Sequence, residues 1–248
     1  MKNKFILLLF IFSFLGVSKI NSQIKNGSIT YVKESIVNDQ EKEKFKKHPN
    51  YEKFNKIDEG IEEALKYMSF ELKFNELSSI FKLNKSLTLE GAKYYKFALI
   101  PHGNSVFYSS KDTSLEQKQI FGETFIISKE KLKWQLINET KKIGNYLCYK
   151  AKAIIKKPYR GKEKEYIKTA WYCPQINAPY GPIGYSGLPG LILELNDGKF
   201  KYKASKIVLN SKNTYEIIKP EKGKKVTEQQ MNTMISEAMG NFKRNKGY

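Results

Sequence analysis

The sequence contains few of the residues that build metal and redox sites. Among 248 residues there are two cysteines, Cys148 and Cys173, and two histidines, His48 and His102. Neither histidine has a cysteine, aspartate or glutamate at metal-ligand spacing, and the cysteines do not form a Cys-x-x-Cys motif. These absences disfavour a structural zinc site, a histidine-based catalytic triad and thiol redox catalysis. We therefore expect no metal site and no cofactor.

Arginine is also scarce. Of 44 basic residues only Arg160 and Arg244 are arginine, although the formal net charge is +19. Recognition of bases and phosphates favours the planar guanidinium group, and the lysines here mostly alternate with apolar residues along the chain. We interpret the charge as a solvated, lysine-rich surface and expect no nucleic-acid partner. A weak attraction to anionic lipid or polysaccharide is the functional alternative.

The N-terminus has the layout of a secretory signal peptide. Lys2 and Lys4 precede an uncharged run from Phe5 to Val17, and Ser22 is a small residue at a suitable cleavage point. A membrane-spanning helix needs about 20 apolar residues, so the shorter run favours a cleaved signal over a retained anchor. We predict that residues 1–22 are removed on export. The mature chain is expected in the periplasm or at the outer envelope, with no transmembrane segment.

Alternation of apolar and polar residues predicts a β-rich mature chain. It is clear in Met68–Phe74 and in residues 145–155, and Asn196-Asp197-Gly198 is a strong hairpin turn. Turn signals at irregular intervals favour an antiparallel arrangement over parallel βαβ units. The predicted strands are residues 24–37, 68–74, 78–83, 105–109, 121–128, 131–137, 145–155, 165–173, 191–195 and 200–209.

Apolar residues recur at helical spacing near the two ends of the mature chain. The charged N-terminal part, residues 38–67, predicts a helix in its second half, and residues 227–245 open with a capping box formed by Thr227 and Gln230. The predicted fold is α+β and mainly antiparallel β. We expect a curved sheet or incomplete β-barrel, with an N-terminal helical segment and a C-terminal helix, forming a single domain over residues 23–248.

The two cysteines lie on neighbouring predicted strands. Folding residues 145–155 and 165–173 into a hairpin about Arg160-Gly161 pairs Tyr149 with Tyr172 and sets Cys148 opposite Cys173. Directly opposed residues have Cβ atoms about 4.5–5.5 Å apart, and a disulfide becomes reachable when they are closer still. Because exported proteins favour paired cysteines, the register predicts a cross-strand disulfide.

Proline and glycine are concentrated in one segment. Between Pro174 and Gly190 lie four of the eight prolines and four glycines. Proline removes backbone donors and glycine is costly to order, so this segment cannot be a central strand or a helix. A loop of this length inside a compact domain is typical of a lid or binding element.

The loop ends in Gly187-Leu188-Pro189-Gly190-Leu191-Ile192, the string that names the GLPGLI family of exported envelope proteins. The resemblance covers roughly Gly122 to Leu209 and implies a signal peptide, an envelope location, no established activity and no catalytic residues to carry over. The strand series with flanking helices is also similar in fold to the incomplete barrels of lipoprotein carriers such as LolA. Further motifs that carry the family resemblance are Trp134, Glu139-Thr140-Lys141, Ile143, Tyr146-x-Cys148, Ala151, Ala170-Trp171-Tyr172 and Gly181-Pro182.

The residues in and around the loop do not form a recognisable catalytic motif. Ser186 lies among glycines, but the Gly-x-Ser-x-Gly spacing of a nucleophile elbow is broken and no histidine follows. Glu139, Glu194 and Asp197 are interpreted as solvated residues, because carboxylates are mostly exposed. We therefore expect a protein that is not an enzyme.

The leading hypothesis is a non-enzymatic envelope protein that binds or carries an apolar or peptide ligand in the curved sheet, covered by the Pro/Gly loop. The alternative is an interaction module that docks an outer-membrane or secretion/transport protein. Peripheral contact with a membrane is also compatible with the sequence. The predicted ligand-binding residues are Trp171, Tyr172, Tyr180, Gly181, Pro182, Tyr185, Gly187, Leu188, Pro189, Gly190, Leu191 and Ile192.

Overall fold

The structure of the protein is a computed structural model. It describes residues 24–36, 43, 46–84, 94–100, 102–159, 162–212 and 215–245. The predicted signal peptide, residues 1–22, lies outside the described residues. So do the first residues of the charged N-terminal part, 38–42.

One twelve-stranded sheet forms the body of the protein. The strand order is β12-β6-β5-β4-β3-β2-β1-β11-β10-β9-β8-β7. Its pairs are antiparallel except for β12, which runs parallel to β6, and the two outer strands do not close the sheet. The strands are β1 Gly27–Ser35, β2 Ser69–Phe74, β3 Ser78–Leu83, β4 Val106–Ser110, β5 Ser114–Ile120, β6 Glu123–Ser128, β7 Gln135–Ile143, β8 Tyr146–Tyr159, β9 Lys162–Cys173, β10 Leu191–Asn196, β11 Phe200–Leu209 and β12 Lys224–Thr227.

Aromatic contacts show how strongly the sheet curves. Phe81 on β3 and Tyr202 on β11 are separated by two strands, which is about 14 Å across a flat sheet. Their ring centroids are nevertheless only 6.0 Å apart. Phe70 on β2 contacts both rings at 5.5 Å. The buried core therefore lies on the inner face of a curved, unclosed sheet, which confirms the predicted fold class.

Within the described residues, three helices with assigned bounds accompany the sheet. The first, α1 (Tyr51–Lys66), buries Ala64 and Leu65 and contacts β1. A short helix, α2 (Tyr95–Ala98), also contributes to the core. The third, α3 (Glu228–Asn245), packs on β6 beside the smaller cluster formed by Phe125, Ile127 and Met231. None of the helices in the described ranges is long and apolar enough to cross a membrane.

The capping box and the long hairpin form as predicted. The Thr227 amide donates to Gln230 Oε1 at 2.8 Å, and the Gln230 amide donates to Thr227 Oγ1 at 3.1 Å. In the hairpin, Tyr149 pairs with Tyr172 and the register continues without a shift to Tyr159 opposite Lys162. The sequence therefore identified both the helix start and the strand register.

Other elements differ from the sequence prediction. β5 and β12 were not predicted, since β5 is mostly polar and β12 is only four residues long. β7 spans Gln135–Ile143 rather than residues 131–137. Helix α1 begins at Tyr51, whereas the apolar spacing predicted a start near Ile57.

Two glycines near the end of the Pro174–Gly190 loop differ in the space around their Cβ positions. Gly190 has φ +149°, and a Cβ there would lie 2.2 Å from the Cys173 carbonyl oxygen. Gly187 has φ +92° with nothing within 4 Å of its Cβ position. We expect Gly190→Ala to lower the free energy of unfolding by about 3 kcal/mol or more. The new Cβ would displace backbone atoms at the end of β9, and alanine would also be strained at this positive φ. Urea unfolding measures the effect.

The matched control is Gly187→Ala. It adds only the left-handed strain, so its expected cost is about 1–2 kcal/mol. Equal costs for the two variants would contradict the close approach of Gly190 to the end of β9.

Candidate ligand-binding site

The Pro174–Gly190 loop crosses the inner face of the sheet. It leaves β9 after Cys173 and reaches β3, β4 and β5, where a 3-10 turn, Pro182–Gly184, packs. The Gly184 carbonyl accepts a hydrogen bond from Ser109 Oγ at 3.2 Å. Trp134 Nε1 donates to the Ser186 carbonyl at 3.0 Å. Backbone carbonyls of the loop therefore accept hydrogen bonds from β4 and from the segment just before β7.

Apolar side chains of this loop belong to the hydrophobic core. Ile176, Ala178, Tyr180, Ile183 and Leu188 are all buried there. Hence the loop does not merely cover the inner face but fills it. Ile183 adopts φ 48° and ψ 32°, a left-handed conformation that is strained for a β-branched residue. Burial of its side chain holds this turn in place.

The predicted ligand-binding residues fall into three groups. Most are buried, two are partly exposed and two are exposed. The buried residues are Tyr172, Tyr180, Gly181, Pro182, Leu188, Gly190, Leu191 and Ile192; the partly exposed ones are Trp171 and Tyr185; the exposed ones are Gly187 and Pro189.

A surface depression lies where the loop leaves β9. It has a volume of about 250 Å³ and is lined by Leu147, Tyr149, Tyr172, Pro174 and Gln175. The two tyrosines oppose each other on β8 and β9, and their ring centroids are 6.1 Å apart. Burial and the neighbouring Tyr149 raise the pKa of Tyr172, so its hydroxyl is neutral and can donate a hydrogen bond. This aromatic pair offers an apolar wall with polar ends.

Of the predicted residues, only Tyr172 lines this depression. The sequence argument missed Leu147, Tyr149, Pro174 and Gln175, although the hairpin register already placed Tyr149 opposite Tyr172. A second depression of about 200 Å³ includes Tyr180. It is lined by Ile24, Phe74, Asn75, Glu76, Asn177, Ala178, Pro179 and Tyr180.

Trp171 lies on the other face of the sheet from Tyr172. The Lys141 ammonium group is 4.4 Å from the centroid of the indole ring and 2.8 Å from Glu194 Oε1. Lys150 is 5.8 Å from the same ring and forms an ion pair with Glu139. Trp171 and Tyr172 therefore cannot serve one ligand site.

Cys148 and Cys173 lie one residue beyond the Tyr149–Tyr172 pair, and both are buried free thiols in the structure. The predicted disulfide is thus not shown. The Cys148 thiol donates to the Tyr146 carbonyl at 3.7 Å, and the Cys173 thiol donates to Gln175 Oε1 at 3.9 Å. The interaction with Cys148 lowers the pKa of the Cys173 thiol, whereas the interaction with Cys173 and burial raise the pKa of Cys148. The thiols are close enough to influence each other's protonation.

A polar cluster formed by His102, Tyr202, Asp197 and Lys33 lies in the interior. The His102 Nδ1 atom is 3.1 Å from the Tyr202 hydroxyl and 3.8 Å from Asp197 Oδ2. Lys33, only 2% exposed, donates to the Ala98 carbonyl at 3.3 Å and lies over the Phe200 ring at 3.9 Å. Burial lowers the pKa of Lys33 to about 8, while Asp197 acts in the opposite direction.

Within the described part of the chain, no three His, Cys, Asp or Glu side chains form a group that could hold a metal ion. The polar cluster also lies apart from both depressions, since none of its members lines them. The cluster is therefore part of the packed interior.

A family model described as "Protein of unknown function (Porph_ging)" matches residues 156–194. The matched segment contains the last residues of β8, the whole of β9, the whole Pro/Gly loop and the first residues of β10. A comparison with curated proteins finds no match.

Solved structures with a similar backbone include PNGF-II in space groups C2 and P21. Each is similar over 85% of this chain, with 13% and 14% sequence identity and TM-scores of 0.49 and 0.48. This chain spans about a third of their length, 32% and 33%. An uncharacterized conserved protein from Thermus thermophilus is similar over 84% of this chain and 93% of its own, with 8% identity and a TM-score of 0.32.

Buried His102 makes stability depend on pH. Burial, followed by the charges of Lys129 and Lys33, lowers its pKa from 6.5 to about 2. Above pH 6.5 the imidazole is neutral in both states. Below pH 6.5 only the unfolded chain binds the proton, so the free energy of unfolding falls by about 1.4 kcal/mol per pH unit from this group.

We expect His102→Gln to flatten the decline in stability between pH 6.5 and 5. Urea unfolding at several pH values measures the slope. Ile218→Gln is the control, since Ile218 is 67% exposed, does not titrate and should leave the slope unchanged. A wild-type slope that persists in His102→Gln would contradict the neutral, buried state of His102.

Proposed function

We propose that this protein is a non-enzymatic, exported envelope protein that binds an apolar or peptide ligand beside its Pro/Gly loop. The observation that carries this proposal is the depression in which Tyr149 and Tyr172 face each other with Leu147 and Pro174. Paired aromatic rings provide a large contact area with little conformational entropy to lose. Gln175 adds an amide that can donate to and accept from a peptide backbone.

The volume of the depression favours a peptide over a large lipid. Sites for drug-sized ligands have volumes of about 300–1,000 Å³, whereas this depression has about 250 Å³. It can therefore take one apolar or aromatic side chain, or a proline, of an extended peptide. The loop side chains Ile183 and Leu188 occupy the inner face of the sheet, so LolA-like carriage of a lipid there would require the loop to move out.

The envelope location rests on the sequence. The signal-like residues 1–22 and the Gly187–Ile192 string both support export, and that string lies inside the segment matched by a family of unknown function. We accordingly propose that the chain is a GLPGLI-type protein of the periplasm or outer envelope.

The edge of the sheet supports the alternative, an interaction module. β7 is an outer strand and is exposed along most of its length, with Leu136 57% exposed. An outer strand presents backbone donors and acceptors that another chain can pair with. Crosslinking in intact cells separates the two functions, because one protein partner captured from β7 without any ligand would favour docking.

Ligand binding is tested with Tyr149→Ala. Native mass spectrometry of the mature wild-type protein should detect a co-purified peptide or bound apolar probe. We expect the variant to bind the same peptide at least about tenfold more weakly, or about 1.4 kcal/mol, because an aromatic anchor is removed. Isothermal titration with that peptide gives the affinity.

Tyr67→Ala is the matched control for this experiment. Tyr67 is 64% exposed at the end of α1, away from the depression, so its removal should leave affinity unchanged. Reproducible absence of any co-purified ligand, together with no binding of peptides or apolar probes by wild type, would overturn the proposed function.

We also propose that Cys148 and Cys173 form a disulfide after export. Each thiol loses a proton and an electron to a disulfide-bonded oxidant of the envelope, which is reduced to two thiols as the new S–S bond forms. The directly adjacent Tyr149–Tyr172 pairing supports this, as does the influence of each thiol on the pKa of the other.

The bridge is tested by counting thiols. Denatured protein purified from the envelope without reductant should react with no equivalents of a thiol reagent, and with two after reduction. The oxidised form should be about 3 kcal/mol more stable to unfolding than Cys148→Ser/Cys173→Ser. Two reactive thiols before reduction would contradict the bridge.

A further inference from the structure

Lys142 on β7 stands at the rim of the depression that Tyr149 and Tyr172 line. In the β7–β8 pairing, Lys142 is opposite Leu147 and Thr140 is opposite Tyr149. Opposed residues share one face of the sheet and have Cβ atoms about 4.5–5.5 Å apart, and both Leu147 and Tyr149 line the depression. A lysine stem can lie along an apolar side chain and keep its ammonium group in water. The exposed Lys142 side chain therefore brings a positive charge to the rim.

This positive charge is not balanced by a carboxylate of the described part of the chain. On the opposite face of the same strands, Lys141 pairs with Glu194 and Lys150 pairs with Glu139. For Lys142, by contrast, no ion pair or hydrogen bond forms within the described residues. None of the residues that line the depression is acidic. The depression consequently favours a ligand with a negative charge.

Hydrogen-bond donors surround the depression. The Lys142 ammonium group has three donors and no acceptor. The Tyr172 hydroxyl is protonated, because burial and Tyr149 raise its pKa, and the Gln175 amide has two donors. A carboxylate only accepts hydrogen bonds, and those it accepts from a charged donor are about twice as strong as neutral ones. A carboxylate therefore matches the polar part of this site.

The apolar part of the site fits one side chain. The depression has a volume of about 250 Å³, and the rings of Tyr149 and Tyr172 are 6.1 Å apart at their centroids. In a polypeptide, an apolar side chain and a carboxylate are attached to the same Cα atom only at the C-terminal residue. A chain that ends at the depression also needs no path out of it. Both features select a C-terminus over an internal segment.

We propose that the ligand of this depression is the C-terminal end of a polypeptide, with its last side chain, apolar or aromatic, against Tyr149 and Tyr172 and its terminal carboxylate at Lys142. This inference rests on the proposed function and narrows its ligand class. A free carboxylic acid with an apolar body has the same chemistry, so the experiment must separate the two sources.

Two probe peptides test the carboxylate on the wild-type protein. Both have the sequence acetyl-Ser-Gly-Ser-Gly-Ser-Phe, one with a free C-terminal carboxylate and the other with a C-terminal amide. Isothermal titration of the full mature chain should give about tenfold tighter binding of the acid, and added salt should reduce the difference. Equal affinities would overturn this inference and leave the proposed function standing.

Lys142→Gln tests the partner of the carboxylate. We expect it to weaken binding of the acid about fivefold, as for an exposed ion pair, and to leave binding of the amide nearly unchanged. Lys53→Gln is the matched control, since it removes the same charge from an exposed position on α1, and it should bind both peptides like wild type. Equal losses of acid binding in the two variants would reduce the effect to overall charge and overturn the inference.

Two further measurements separate the sources and the levels of the argument. The free acid 3-phenylpropionate has the phenyl group and the carboxylate without a peptide backbone, and it should bind at least about fivefold more weakly than the peptide acid; equal binding would overturn the polypeptide source. Tyr149→Ala should weaken the acid and the amide by the same factor. If wild type binds neither peptide, the C-terminal assignment is overturned, whereas the proposed function fails only when other peptides and apolar probes also do not bind.

Discussion

An antiparallel sheet with one apolar face needs something to cover that face, and here a Pro/Gly-rich loop takes part in covering it. Its side chains Ile176, Ile183 and Leu188 pack where a second sheet or a helix layer would lie in other folds. Loops normally stay on the surface because their backbone groups must be satisfied. This loop satisfies them locally and across the sheet: the Ile192 amide donates to Tyr180, and the Gly187 amide donates to Pro179.

The same constraint explains the residues at the ends of the loop. The loop must turn back sharply against β9, and Gly190 is the residue whose missing Cβ allows it. Tyr31 then links β1 to the start of β10, because its hydroxyl donates to the Ile192 carbonyl at 2.6 Å. Burial raises the pKa of Tyr31, which keeps that donor protonated. Replacing Gly190 or removing the Tyr31 hydroxyl would weaken the packing of the loop and of the sheet together.

Local patterns predicted the fold where neighbouring residues decide the structure. Alternation and the turn about Arg160-Gly161 fixed the β8–β9 register, and Thr227 with Gln230 marked the start of α3. They failed where distant contacts decide: Lys224 on β12 pairs with Phe125, about a hundred residues earlier. The burial of the Pro/Gly loop likewise depends on distant contacts. Prolines and glycines suggested a surface lid, whereas the apolar residues between them, such as Tyr180, are buried.

Because the loop fills the middle of the inner face, the candidate binding surface lies at its margin, where the loop leaves β9. Near the sheet end of β8 and β9 lie the tyrosine depression and the two cysteines, and at their far end the hairpin continues beyond both neighbouring strands. A bridge between Cys148 and Cys173 would join the strands next to Tyr149 and Tyr172 and so fix the geometry of the depression.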